Sequence, residues 1–268
     1  MYRYKNIIIF FDTEGSYGFP DSPYININDN INNIISVLDN YRAKATFNIC
    51  AKILYEHPDL IKNLYSEGHE IAAHGFLHEN FLRCNFQYLK NIMDEIDRAF
   101  ISILQKNPVG IRSPGLAMNL LSPTGYMHKI KYRGLLSKHG YKWISDNCLY
   151  PLFRQPYTNL KIKTTIYRLL TPIIARNISI FHILEIPILS PLDTMLFPPE
   201  IRFKTKYSDL MRGFRILRSF IDNSGEIFNF NFHTEIIGTG NRILLLDKIL
   251  EYATSYLECK FIRPVDLI

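Results

Sequence analysis

The chain is poor in cysteine: Cys50, Cys84, Cys148 and Cys259 lie far apart, with no C-x-x-C spacing among them. That excludes a disulfide framework and a thiolate zinc site, and leaves buried free thiols as the expectation. It also lacks long apolar runs. The apolar stretches are interrupted by Pro, Asn or Thr well before the roughly 18 residues that a membrane-spanning helix needs. The run Ile7 to Phe11 is too short for a signal-peptide core and is followed by no small-residue cleavage site. It therefore reads as a first strand, and a cytoplasmic chain is expected. Repeats, low-complexity tracts and linkers are absent too, so a single domain is expected over residues 1–268.

What is present is an ordinary globular composition. The 268 residues are 47% hydrophobic and 21% charged, with 18 Phe and 17 Tyr, enough apolar surface to exclude disorder. Lys and Arg outnumber Asp and Glu by 31 to 25, a net charge of +6 that suits anionic partners. No nucleic-acid-binding motif accompanies the charge, so nucleic acid is not expected among them.

Strand-like apolar runs alternate with helical patterns along the whole chain. Short strands are predicted at Ile7–Phe11, Ala45–Ile49, His69–Ala73, Val109–Ile111, Lys142–Ile144, His182–Pro187 and Glu226–Phe232, with a last one at Phe261–Pro264. Helices are predicted over 29–41 with Asp29 as N-cap, over 52–66, over 86–104, and near 129–139, 208–222 and 241–257. Such alternation specifies an α/β protein built on a parallel sheet or barrel.

Polar groups cluster just after the apolar runs, where α/β barrels carry their chemistry. Asp12 and Glu14 follow the first run, His74 and His78 the third, and Arg112 and Pro114 the next, while His233 ends Phe-Asn-Phe-Asn-Phe-His. Each alone reads as a turn residue, a cap or a hydrogen-bonded core histidine. Their order changes that reading. Two histidines one helical turn apart can present both imidazoles to one ion, with a strand-end carboxylate as third ligand. A second carboxylate two residues away can serve as general base to a water at that ion.

From about residue 6 to 235 the chain resembles the polysaccharide deacetylase (NodB-homology, carbohydrate esterase family 4) family. The family's Thr-Phe-Asp-Asp-Gly motif resembles Phe11-Asp12-Thr13-Glu14-Gly15, its His-(Ser/Thr)-x-x-His motif His74-Gly75-Phe76-Leu77-His78, and its Arg-x-Pro motif Arg112-Ser113-Pro114. Its closing apolar-His pair resembles Phe232-His233. The resemblance implies a single-domain distorted (β/α) barrel and a metal-dependent hydrolase of N-acyl groups. It makes Asp12 the base, Arg112 the residue that orients it, His233 the general acid, and Glu14, His74 and His78 the ligands of a divalent ion. Mixed nitrogen and oxygen ligands favour zinc. A backbone N–H near Gly115 would stabilise the oxyanion with the ion, and Trp143 and Asp146 resemble a fourth motif in which an aromatic lines the pocket and an Asp pairs with a catalytic partner. The chain departs from the pattern in three places. An extra residue separates the first two carboxylates, Gly75 stands where Ser or Thr braces the loop, and Trp143 precedes Asp146 in place of the reverse order.

The implied substrate is an N-acylated amino sugar or lipid-linked saccharide of cell-surface polysaccharide or glycolipid assembly. A small non-sugar amide, or sugar binding without turnover, are the competing readings; the intact base and acid pair speaks against the second. From about 147 to 184 the chain carries no Asp or Glu, and Arg154, Lys161, Lys163, Arg168 and Arg176 stand among apolar residues. This segment reads either as an insertion packed on the barrel with its charges solvated, or as a contact with an anionic membrane surface, the inner membrane face for a cytoplasmic chain.

Overall fold

The structure, a computed structural model, describes residues 4–20, 26–119, 124–148, 182–198 and 204–268. The basic apolar run from about 147 to 184 therefore lies almost wholly outside the described residues. The remainder is a curled, parallel sheet wrapped by helices, the distorted barrel that the alternation and the resemblance imply. Its strands are β1 (Tyr4–Thr13), β2 (Thr46–Ile49), β3 (Glu70–Ala73), β4 (Gly110–Ile111), β5 (Trp143–Ile144), β6 (Leu184–Glu185), β7 (Ile227–His233) and β8 (Glu258–Phe261). They run in the order β6-β5-β4-β3-β2-β1-β7, with β8 beside β1. The ten-residue β1 accommodates three partners: β7 along Asn6 to Asp12, β8 beside Tyr4 to Ile7, and β2 beside Phe10 to Thr13.

Both faces of β1 are covered, which is why Ile7 to Phe11 form one unbroken apolar run. Ile7, Ile9 and Phe11 pack outward under the helices. Ile8 and Phe10 point into the barrel with Ala72, Trp143, Ile186 and Ile262. In β7 the same alternation has a polar inner row, with Phe228, Phe230 and Phe232 in the main core and Asn229 and Asn231 fully buried. Those two asparagines close the gap between the sheet's ends. Asn229 accepts the Leu189 N–H and donates to the Pro187 carbonyl, Asn231 donates to Ser190 Oγ, and a single parallel bridge joins Leu192 to Asn231.

The helices are α1 (Gly15–Gly18), α2 (Ile27–Asn40), α3 (Ala51–Glu56), α4 (Pro58–Ser66), α5 (Phe86–Leu104), α6 (Tyr126–Lys138), α7 (Asp193–Leu196), α8 (Tyr207–Asp222), α9 (Thr234–Ile237) and α10 (Ile243–Tyr256). Two differ from the sequence reading for local reasons. The N-cap of α2 is Asn26, whose side chain accepts the Asp29 N–H, so Asp29 falls within the first turn and complements the helix dipole. The helix expected over 52–66 is two helices, because Pro58 disfavours helical geometry at His57 and opens α4 as its first residue. Among the described residues, no helix is long and apolar enough to cross a membrane.

Behind the strand ends lies a buried ion pair, Arg133 Nη2 on Glu185 Oε2 at 2.7 Å with both side chains fully enclosed. Glu185 Oε1 also accepts the N–H groups of Asp146 and Asn147, so it braces the turn after β5. Removing the cation strands a buried carboxylate. Arg133→Met is expected to lower unfolding free energy by about 3–5 kcal/mol, read from the urea midpoint at neutral pH.

Candidate active site

Strand register assembles the site. At the C-terminal end of β1, Asp12 lies opposite Asn48 on β2 and opposite His233 on β7. One residue beyond β3 and β4 come His74 and Arg112, and the chain beyond Thr13 turns Glu14 toward them. All six residues singled out in the sequence meet here. Five of them, Asp12, Glu14, His74, His78 and His233, line a cavity of about 590 Å³ whose other walls include Phe19, Leu82, Gly115 and Leu192; Arg112 sits beneath it.

Arg112 is wholly buried. Its Nη1 donates to Asp12 Oδ1 at 2.8 Å, Nη2 to Asn231 Oδ1 at 2.8 Å and Ser145 Oγ at 3.0 Å, and Nε to the Ser145 carbonyl at 3.2 Å. Asn48 also donates to Asp12 Oδ1, at 2.7 Å. Burial alone would push the Asp12 carboxyl up, but the charges of Arg112, His74 and His233 outweigh it and hold Asp12 below the usual carboxylate range. With Oδ1 so occupied, Oδ2 is the oxygen left to accept a proton.

Glu14 Oε1 lies 3.0 Å from His74 Nε2 and 3.1 Å from His78 Nε2. His74 Nδ1 donates to the Arg112 carbonyl at 2.9 Å, which fixes the tautomer that turns an Nε2 lone pair toward Glu14. Burial opposes a charged His74, yet Asp12 and Glu14 raise its pKa, and the His74 and His78 contacts carry Glu14 well below its ordinary value against burial. His78 Nε2 is buried and finds no aligned hydrogen-bond partner despite its approach to Glu14. Two imidazole nitrogens and a carboxylate oxygen within 4.8 Å of one another, one nitrogen orphaned and the other's tautomer pinned, are a donor set that fits a divalent ion.

Asp12, Glu14 and His233 also fall within 4.8 Å of one another. In that set Asp12 is already engaged by Arg112 and His233 by Asp193. His233 Nδ1 lies 2.6 Å from Asp193 Oδ1, and the His233 N–H donates to Asp193 Oδ2 at 2.7 Å. Burial works against a charged imidazole here, but Asp193, Glu14 and Asp12 raise the pKa to about 10. Nε2 then carries a proton that faces the cavity side, 3.6 Å from Glu14 Oε1.

Several sequence expectations need correction. His74 and His78 are not one helical turn apart: residues 74–80 are loop, with Gly75 at φ +77° and His78 at φ +62°. A side chain at Gly75 would sit 2.8 Å from Pro114 Cγ, and the bracing expected from Ser or Thr comes from Glu79, which accepts the Phe76 and Leu77 N–H groups. Trp143 does not line the pocket. It lies inside the barrel against Phe10, donating to Glu70 Oε1 at 2.8 Å. Asp146 pairs with no catalytic side chain, and accepts the Ser113 N–H at 2.6 Å to hold the Arg-Ser-Pro loop. The partner of His233 is Asp193, which sequence reading missed because 40 residues separate the two with no motif between them.

Residues 4–134 match the family profile for polysaccharide deacetylase. A chitooligosaccharide deacetylase of Rhizobium leguminosarum bv. trifolii is 30% identical over 69 residues, 26% of this chain and 32% of that protein, so the matched stretch spans about a third of the curated relative's length. A polysaccharide deacetylase structure from Mycobacterium smegmatis superposes with TM-score 0.68 at 15% identity, covering 99% of this chain and 89% of that one. An allantoinase superposes with TM-score 0.61 at 16% identity, covering 97% and 88%. At such identities the two structures speak to the fold alone.

The His233–Asp193 pair is checked by histidine NMR titration of the metal-free protein. His233 is expected to titrate near 10, and Asp193→Asn, by removing the partner charge, to bring it down toward the ordinary range near 6.5. An unchanged titration in the variant would detach Asp193 from that role.

Proposed function

We propose that the chain, whose residues 4–134 match the polysaccharide deacetylase profile, acts as a member of that family: a metal-dependent hydrolase removing an acetyl or formyl group from the nitrogen of an amino sugar, free or lipid-linked, in cell-surface polysaccharide or glycolipid assembly. The reading is carried by one observation: Glu14, His74 and His78 bring ligand atoms within 4.8 Å of one another, flanked by a carboxylate whose pKa is lowered and an imidazole whose pKa is raised. Binding alone calls for no such base and acid pair.

A divalent ion at Glu14, His74 and His78, with zinc the choice for two nitrogens and one oxygen, would polarise the acyl carbonyl and acidify a water. The protein's own groups do the rest. Asp12 Oδ2 accepts the proton of the attacking water while Arg112 keeps the carboxylate charged and oriented. The Gly115 backbone, at φ +58° in the cavity wall, supplies the N–H for the developing oxyanion in this reading. His233 Nε2 then protonates the leaving amine, its ring fixed by Asp193 and by the edge-on ring of Phe19 at 5.5 Å. The order of proton transfers follows from the opposite charge states of Asp12 and His233.

The test is acetate or formate release from a panel of N-acylated sugars, with metal content measured on each variant. Asp12→Asn is expected to keep its metal and lose about 10²–10⁴ in rate, since the amide is nearly isosteric and accepts no proton. His74→Ala and His78→Ala are expected to lose the metal first. Full activity in Asp12→Asn, or a full equivalent of zinc in both histidine variants, would sink the assignment. Turnover of small cyclic amides with none of the sugars would move the substrate class while leaving the site in place.

A further inference from the structure

Glu235 is buried, follows His233 by two residues, and has no part in the proton transfers described above. Its Oε1 accepts the N–H of Glu14 at 2.9 Å and the N–H of Gly15 at 2.6 Å. The backbone that presents these donors has a defined shape: Glu14 is right-handed at φ −113°, ψ −23°, and Gly15 is left-handed at φ +57°. Successive N–H groups in that right-left sequence form a concave nest for an anion. β1 ends at Thr13, so Glu14 lies just past the strand and its N–H is free to point at Glu235. Across the same turn the Glu14 side chain fills the space that a Cβ at Gly18 would need, so the bare glycine is what lets it lie there.

We infer that Glu235 is a positioning residue: by filling the Glu14–Gly15 nest it fixes the backbone of the inserted turn and aims the Glu14 carboxylate at His74 and His78. The inference rests on the assignment of those three residues as ligands. A second buried carboxylate close to Glu14 repels it and adds nothing to cation binding through direct contact, so its value lies in the two hydrogen bonds and what they orient. Glu235 also ties the turn bearing Glu14 to the strand end bearing His233, which sets the distance between ligand and acid.

The test is the zinc dissociation constant of the full chain, by competition with a chromophoric chelator, with thermal melting of each metal-free variant alongside. Glu235→Gln keeps an acceptor oxygen at the same reach and loses the charge; it is expected to bind zinc within about threefold of the parent. Glu235→Asp keeps the charge but falls one methylene short of the nest; it is expected to weaken zinc by about 10–100-fold, as is Glu235→Ala. A purely structural role would lower the metal-free melting temperature and leave the zinc affinity of the folded protein unchanged. Asp and Ala variants within about threefold of the parent, or a Gln variant as impaired as the Asp variant, would overturn the inference. A parent that binds no stoichiometric zinc, or a His74→Ala variant that binds it as tightly, would instead show the ligand assignment itself to be wrong.

Discussion

The guanidinium of Arg112 is the interaction on which the rest of the site depends. Fully enclosed, it spends four hydrogen bonds on groups from three other strand ends: Asp12 after the core of β1, Ser145 beyond β5 and Asn231 on β7. A buried arginine without such partners would be costly, and a buried carboxylate without the arginine would take up a proton. Each is tolerable because the other is there. The pair forms the floor of the cavity, and its ring contact with Phe10 seats it on the apolar plug of the barrel.

Charge then sorts the remaining groups. Arg112 neutralises Asp12, and protonated His233 neutralises Asp193. Glu14 is left facing two imidazoles, one with its tautomer fixed by the Arg112 carbonyl. The same residue thus sets the ionisation of Asp12 through its side chain and the orientation of His74 through its backbone. The second layer is arranged by similar economy: Asp146 and Glu79 hold the loops that carry Arg112 and His78, and Glu185 holds the turn that carries Asp146.

Most strand positions were legible because apolar runs buried on both faces are hard to mistake, and the runs that reach the site end in polar groups. The closing strand was not, because half-exposed Glu258–Phe261 carries no apolar run and starts three residues before the expected Phe261–Pro264. Asp12, Glu14, His74, His78, Arg112 and His233 could be picked out because they follow such runs. Their conformations could not. The spacing of His74 and His78 serves a helical turn and a loop equally well, and only the positive φ of Gly75 and His78 decides between them. Trp143 was misplaced because the resemblance to a fourth motif put an aromatic in the pocket wall, whereas Gly110 offers the bare backbone on which its ring rests inside the barrel. Asp193 and Glu235 were invisible for a different reason. They act on backbone and ring nitrogens brought near by folding, and no periodicity or local motif encodes such a contact.

The central claim, that Glu14, His74 and His78 are the ligands while Asp12 and His233 stay free to move protons, is tested most directly by anomalous diffraction at the zinc edge from crystals grown with zinc. The account predicts one peak about 2.0–2.2 Å from a Glu14 carboxylate oxygen and from Nε2 of both His74 and His78, with Asp12 still on Arg112 and His233 still on Asp193. A peak ligated by Asp12 or His233 in place of His78, or no peak among these residues, would contradict it.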